Sequence, residues 1–363
     1  MTETLTIRPS EALKAAPKLT FCFPTYNRAA LLKEALRAVL DQIGPEEAAQ
    51  VEILIMDNAS PDDTPQVVEK LNGQSPYLPL RYVRNPENLG LDRNFLKGIG
   101  LARGKFVCLL SDDDILLPGA VAKLLEMIHK YPDFDGFCCN IRSFYEDPYK
   151  DAPPWLDIKE DVLLRDRNEV LQLVQGHITF MTILVFNKSL ISDRLAAGHY
   201  ADKIGTYFLP SYIFLDVLAS GKDFAAVAQI MMAQRVENAH ALNFFQVFIT
   251  ELAALMNHAE ASGFSRKLIR RIKMDMLIGA RHFVARVKIY NRETELWSSR
   301  RDGIVQLFRV YKFHPYLWLV VVPLMFFPRS LRPAVHLVRR LLGRAPIEEK
   351  KEARQEAPKA RAA

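Results

Sequence analysis

Three consecutive carboxylates, Asp112, Asp113 and Asp114, follow the apolar run Phe106 to Leu110 with only Ser111 between. Adjacent negative charges do not continue into a low-dielectric core without protonation or a compensating cation, so they belong at the exit of the strand that the apolar run forms. Hard oxygen ligands at a strand exit suit Mg2+ or Mn2+ carried by a phosphorylated substrate. A solvated acidic loop capping the helix opened by Pro118 is the alternative reading of this stretch alone. Two other apolar runs also end in small polar groups, Thr25 with Asn27 and Asp57 with Ser60. Taken singly, these read as helix caps and Asx turns. Taken together with Arg93 and Asp113, they can converge on one bound molecule, provided that the runs are parallel strands whose exits share one edge.

The elements that must position these groups follow from apolar spacing. Strands are predicted at Leu19 to Pro24, Val51 to Met56, Leu80 to Val83 and the central run from Phe106. Between them Leu32, Leu36, Val39 and Leu40 recur at helical spacing, a second helix runs from about Pro65 to Leu71, and a third carries Phe95, Ile99 and Ala102 up to Gly104. This alternation predicts an α/β class, a doubly wound, mostly parallel sheet.

The composition, 49% hydrophobic and 25% charged over 363 residues, is that of a globular chain longer than one average domain. Its net charge of +6 conceals an asymmetry: from Arg266 onward 23 Lys+Arg face 8 Asp+Glu, a surplus of 15 that leaves −9 for residues 1–265. The four cysteines, Cys22, Cys108, Cys138 and Cys139, sit in or beside apolar runs without zinc-ligand spacing, and read as reduced core residues of a cytosolic protein. The first residues have no apolar stretch, so neither a secretory signal nor an initial membrane anchor is expected.

The ordered set PTYNR, IMDNASPDDT, NPENLGLDRN and LLSDDDILLP resembles the nucleotide-sugar-binding half of inverting family 2 glycosyltransferases with the A-type fold, and within them the abequosyltransferase-like enzymes of bacterial surface polysaccharide synthesis. The resemblance covers roughly residues 18–140. It implies a nucleoside-diphosphate sugar donor, with base and ribose held by Thr25, Tyr26, Asp57 and Asn58, with Arg93 near the nucleotide, and with Pro24, Arg28 and Asp112 also binding the donor. The second acid of the family's usual pair is Asn58 here. In the metal motif the resemblance aligns Ser111 with the first acid and gives the ion, Mg2+ or Mn2+, to Asp113 with Asp114 after it. The acid that would deprotonate an acceptor hydroxyl is absent from the helix start near residues 204–218, leaving Asp216 and Asp202 as catalytic candidates, with His177, His199 and His240 as surface or core histidines.

Four segments are expected: an arm at residues 1–17; a transferase domain at 18–240, divided into a donor half (18–140) and an acceptor half (141–240); a helical, basic, membrane-associating module at 241–344; and a disordered tail at 345–363. The tail is charged and Ala-rich. The apolar run Tyr316 to Phe327, broken by Pro323, is too short to span a bilayer. It reads either as an interfacial segment with arginines on anionic headgroups or as a buried core hairpin. The expected partners are therefore the donor, a lipid-linked glycan acceptor and an anionic membrane surface, with no nucleic acid, and the expected location is cytoplasmic, peripheral on the inner face of the cell membrane. A metal-dependent nucleotidyltransferase should show a glycine-rich triphosphate loop, which PTYNRAA lacks. A basic nucleic-acid-binding protein leaves the acidic exits unexplained.

Overall fold

The computed structural model describes residues 16–74, 80–206, 208–236, 245–290, 300–326 and 328. Residues 1–15 of the expected arm, the 345–363 tail, His240 and the arginines after Pro328 lie outside the described residues.

The first part of the chain alternates strand and helix as the apolar spacing predicts: β1 (Leu19–Thr25), α1 (Ala29–Leu40), α2 (Pro45–Ala48), β2 (Val51–Asp57), α3 (Thr64–Gln74), β3 (Leu80–Arg84), α4 (Leu91–Leu101) and β4 (Phe106–Leu109). There follow β5 (Ile115–Leu116), α5 (Ala120–Lys130), β6 (Gly136–Phe144), β7 (Val162–Leu164), α6 (Arg167–Val174), β8 (Leu184–Asn187), α7 (Ser192–Ala196), α8 (Leu209–Ser220) and β9 (Phe224–Arg235). One sheet of order β3-β2-β1-β4-β8-β6-β9-β5, with β7 on β9, runs through all of them. β4 is central, fully buried, parallel to β1 and antiparallel to β8. The four cysteines are buried free thiols.

The expected α/β sheet is present, and its strand directions differ between its two parts. The sheet is parallel across β3-β2-β1-β4 but mixed beyond it, with β4–β8, β6–β8, β5–β9 and β7–β9 all antiparallel. Apolar runs report burial on both faces and carry no strand direction, and the second half has no regular strand–helix alternation to imply one.

At the end of the sheet away from the acids, Gly104 allows a backbone approach that no side chain would permit. A Cβ there would lie 2.6 Å from the Thr20 nitrogen and 2.8 Å from the Phe106 oxygen. Gly104 N also donates to Thr20 Oγ1 (2.8 Å), which itself donates to buried Glu52 (2.8 Å). Gly104→Ala is expected to destabilise the fold by about 1–3 kcal/mol, read as a lower urea midpoint with unchanged slope.

The basic region folds as helices: a wide turn at Gln246–Glu251, then α9 (Leu252–Ala261), α10 (Arg266–Tyr290), α11 (Arg300–Tyr311), a second wide turn at Leu317–Val321 and α12 (Val322–Met325). Leu255, Met256, Phe264, Leu268, Ile269 and Ile272 join the sheet's own core. Further along α10, Leu277, Ala280 and Val284 pack with Leu307, Leu317, Val321 and Met325 in a second core. The apolar run is therefore divided between two environments. Leu317, Val321 and Met325 are buried, whereas Trp318, Leu319 and Phe326 are 45%, 77% and 54% exposed. No described helix is long and apolar enough to cross a membrane.

Asp216, on the buried helix α8, joins the two regions. Its carboxylate receives Tyr200 Oη (3.1 Å) and His258 Nε2 (2.8 Å) of α9, with Arg194 and His199 at 3.9 and 3.7 Å. Burial pushes this carboxyl up, but the His258, Arg194 and Tyr200 contacts prevail and hold it below the usual range.

Candidate active site

The exits of β1, β2 and β4 meet because the three strands are parallel and in register, Thr25 lying beside Asp57 and Cys22 beside Leu109. The loops after β1 and β2 each turn on a non-glycine residue in the left-handed region, Asn27 (φ 56°) and Ala59 (φ 64°). Such conformations need support from their surroundings. The loops brace each other: Asn27 N donates to Ser60 Oγ (3.0 Å), and Ala29 N donates to Asp62 (2.8 Å).

A cleft of about 490 Å³ opens at these exits, walled by Pro24, Thr25, Tyr26, Arg28, Asn58, Ser111, Asp112 and Asp113, with Asn88, Gly90, Leu91, Asn94, Phe95 and Met181. Thr25 Oγ1 donates to Asp112 Oδ2 (2.7 Å), and Arg28 Nη1 reaches Asp112 Oδ1 (3.0 Å) and Asp113 Oδ2 (3.1 Å). Ser111 Oγ donates to Asp113 Oδ1. Asp114 faces inward: Arg235 N, at the end of β9, donates to its Oδ1 (3.1 Å), while Oδ2 is buried without a hydrogen-bond partner. Burial, reinforced by the charges of Asp113 and Asp112, holds the Asp114 carboxyl well above the usual range. Burial likewise raises Asp112, against the pull of Thr25 and Arg28.

Not every residue singled out in the sequence lies on the cleft wall. Asp57 has no exposed surface. Its Oδ1 accepts from Ser60 N (2.8 Å), its Oδ2 accepts from Tyr82 Oη, and Arg84 lies at 3.8 Å. Arg93 is exposed in the first turn of α4 and is absent from the wall, which that helix lines with Leu91, Asn94 and Phe95. Asp202 is exposed and paired with Lys203 at 2.7 Å, and Asp216 lies in its ion cluster between α8 and α9.

Asn58 stands where the resembled pattern has an acid. Its oxygen accepts from Asn85 Nδ2 (3.0 Å) and Leu89 N (2.9 Å) while its nitrogen donates to Asn88 Oδ1 (2.7 Å). The donor role is one a carboxylate could not perform. These contacts place the NPEN loop beside the cleft, so Asn88 and Asn94 belong to a site for which the sequence had suggested Arg93. Helical phase was the available signal, since position 94 is turned about 100° around the helix axis from position 93 and so faces different surroundings.

Among the described residues no three His, Cys, Asp or Glu side chains close around one point as a preformed metal cage. The donor set still suits a hard divalent ion, because Asp113 offers carboxylate oxygens at the cleft wall, and phosphate or water oxygens can complete such a shell.

A curled mixed sheet flanked by helices, with acids at the exit of its central strand, is the A-type glycosyltransferase fold. Residues 20–193 match the family described as Glycosyl transferase family 2, and this part of the chain is a family 2 glycosyltransferase domain. Among curated relatives, abequosyltransferase RfbV of Salmonella typhimurium is 36% identical over 212 residues, 55% of this chain and 60% of that protein. GalNAc(5)-diNAcBac-PP-undecaprenol beta-1,3-glucosyltransferase of Campylobacter jejuni is 34% identical over 124 residues, 34% of this chain and 38% of that protein. The chain thus spans less than two thirds of either relative. In fold it is similar to S. aureus TarS 1-349 in complex with UDP-GlcNAc (TM-score 0.59, 14% identity, 90% of this chain and 92% of that one). It is also similar to mannosyltransferase PcManGT from Pyrobaculum calidifontis in complex with GDP-Man and Mn2+ (TM-score 0.51, 17% identity, 92% and 89% coverage).

Proposed function

We propose that this chain moves a sugar, with inversion, from a nucleoside-diphosphate sugar to a hydroxyl of a lipid-linked acceptor glycan in surface polysaccharide synthesis. The observation that carries the reading is one cleft walled by the exits of β1, β2 and β4, which gathers Thr25, Tyr26, Arg28, Asn58, Asp112 and Asp113. Donor-bearing relatives of this fold, and a curated relative named for an undecaprenol-linked substrate, support it. The acceptor would place the protein at the inner face of a membrane.

In this reading Pro24, Thr25, Tyr26 and Asn58 border the nucleoside, and Asp113 at the cleft wall, with Asp114 behind it, would hold Mg2+ or Mn2+. When bound, that ion supplies Lewis-acid stabilisation of charge developing on the leaving diphosphate. Thr25 and Arg28 fix the Asp112 carboxylate, and Ser111 orients Asp113. A thermal-shift panel of nucleoside diphosphates and nucleotide sugars, with and without Mn2+, tests the reading. No stabilisation by any of them would overturn it.

For the acceptor proton we propose Asp202 ahead of Asp216. Asp202 is exposed, and its loop is tied to the donor half where Gly205 N donates to Asp92 of α4 (2.6 Å). Asp216 already has both oxygens engaged. Asp202→Asn is expected to lower kcat by on the order of 10²-fold or more with little change in KM. An unchanged kcat removes Asp202 from the chemistry.

Asp57 acts on the donor by holding the Ser60 turn. Asp57→Ala is expected to weaken donor binding by about 1–3 kcal/mol in calorimetry, and unchanged affinity would confine Asp57 to turn building.

A further inference from the structure

Arg28 bridges the acid pair from another strand exit. A single nitrogen, Nη1, lies 3.0 Å from Asp112 Oδ1 and 3.1 Å from Asp113 Oδ2. The two acids are not equally dependent on it. Asp112 keeps Thr25 Oγ1 on its other oxygen and is buried, whereas Asp113 stands at the cleft wall with Ser111 on its other oxygen. Arg28 itself lines the cleft, so its guanidinium borders the space in which a donor's diphosphate would lie.

We propose that Arg28 is a counter-ion gate for the metal-binding acid: its guanidinium and a divalent ion compete for Asp113, and the donor's diphosphate ends the competition by giving Arg28 an anionic partner. The proposal rests on the reading of Asp113 as the metal-holding residue.

Charge sets the direction of the effect. A dication placed on Asp113 Oδ2 would share that oxygen with a fixed guanidinium, and two cations at contact distance in a partly desolvated cleft repel strongly. A diphosphate beside them reverses the sign of the local field. The guanidinium can then turn one nitrogen to a phosphate oxygen while another stays on Asp112, because its planar fork offers several donors where an ammonium offers a single point charge. Metal and donor should therefore bind synergistically, each weakly without the other. That coupling would keep the acids neutralised between turnovers and keep free metal from occupying the cleft alone.

The test is Mn2+ binding followed by electron paramagnetic resonance on the full chain, without nucleotide and then with UDP, GDP, CDP, ADP and dTDP in turn. Wild type, Arg28→Gln and Arg28→Lys are compared, with thermal melts to verify folding. Without nucleotide, Arg28→Gln is expected to bind Mn2+ on the order of 10-fold or more tightly than wild type. The enhancement of Mn2+ affinity by nucleotide should shrink in the same variant. Arg28→Lys keeps the charge and should keep nucleotide-free binding weak, but with less enhancement than wild type. If Arg28→Gln gains no affinity while wild type binds Mn2+ with a nucleotide, the gate is overturned and the metal site stands. If no protein binds Mn2+ under any condition, the metal reading falls and the gate with it. If Arg28→Gln fails to fold, Arg28→Lys decides the matter, because nucleotide enhancement equal to that of wild type overturns the proposal.

Discussion

Asp113→Asn is expected to reduce sugar transfer by on the order of 10³-fold or more, and to remove the metal dependence of nucleotide binding, while leaving the fold intact. The size of the effect follows from position. Asp113 is the most exposed of the three acids, with 13% of its side chain exposed against 6% for Asp112, and it stands on the cleft wall, which Asp114 does not reach. The amide keeps the shape and can still accept from Ser111, so packing is preserved. Stability should not fall, because the charge of Asp113 is among the causes that raise both Asp112 and Asp114, and removing it relieves both. Three measurements decide the outcome: transfer rate, Mn2+-dependent nucleotide affinity and melting temperature. Wild-type transfer by the variant, or full wild-type activity in excess EDTA, would sink the metal assignment.

The second large effect is expected on membrane binding, which we propose takes place through the outer face of the second core. Val305, Phe308, Phe313, Trp318, Leu319 and Phe326 are all exposed there, with Arg309 and Lys312 among them. Residues 303–328 contain no Asp or Glu. Phe308 and Trp318 meet edge to face at 5.8 Å, so α11 and the 317–321 turn touch through exposed aromatic rings. Charge alone would give adsorption that salt removes, since each basic residue near an anionic surface contributes about 1 kcal/mol and is screened beyond roughly 8 Å in physiological salt. Insertion of large apolar side chains, at about 1.5–3 kcal/mol each when fully buried, supplies the part that resists salt. Wild-type protein should therefore sediment with anionic liposomes at low and high salt. The Trp318→Ser, Leu319→Ser, Phe326→Ser variant should sediment only at low salt. Failure of wild type to bind at low salt, or binding of the variant equal to wild type at high salt, would refute the docking face.

Much of this was legible before the structure, for identifiable reasons. Apolar runs of four to seven residues ending in acids or small polar groups locate β1, β2 and β4 and their exits, because burial and charge leave little choice there. What stayed illegible depends on contacts distant in sequence. That Asp57 is enclosed rests on Tyr82 of the neighbouring strand, and that Asp216 is engaged rests on His258, 42 residues away. β5 and β7, of two and three residues, are too short to show a period. In the apolar run from Ile178 to Phe186, a tight helical turn at Met181–Ile183 takes the middle, leaving β8 to begin at Leu184 and bringing Met181 to the cleft. Thr179 and Thr182 are the polar residues of that run, and as β-branched residues they are as compatible with a strand as with a break.

The helix α10 contributes to both cores, Leu268 and Ile272 to the first and Leu277 and Val284 to the second. A continuous helix shared in this way is a strut. Its 25 residues correspond to about 37 Å of rise, which sets an upper limit on the axial offset that it can impose between the catalytic sheet and the outer apolar face. If that face rests on a bilayer and the acceptor is the lipid-linked glycan proposed above, the strut would limit the standoff, and the protein would act as a ruler for that acceptor. Glycans too short to bridge the gap from lipid to cleft would then be poor acceptors whatever their terminal sugar, and chain length would become a selectivity filter separate from the chemistry of the site.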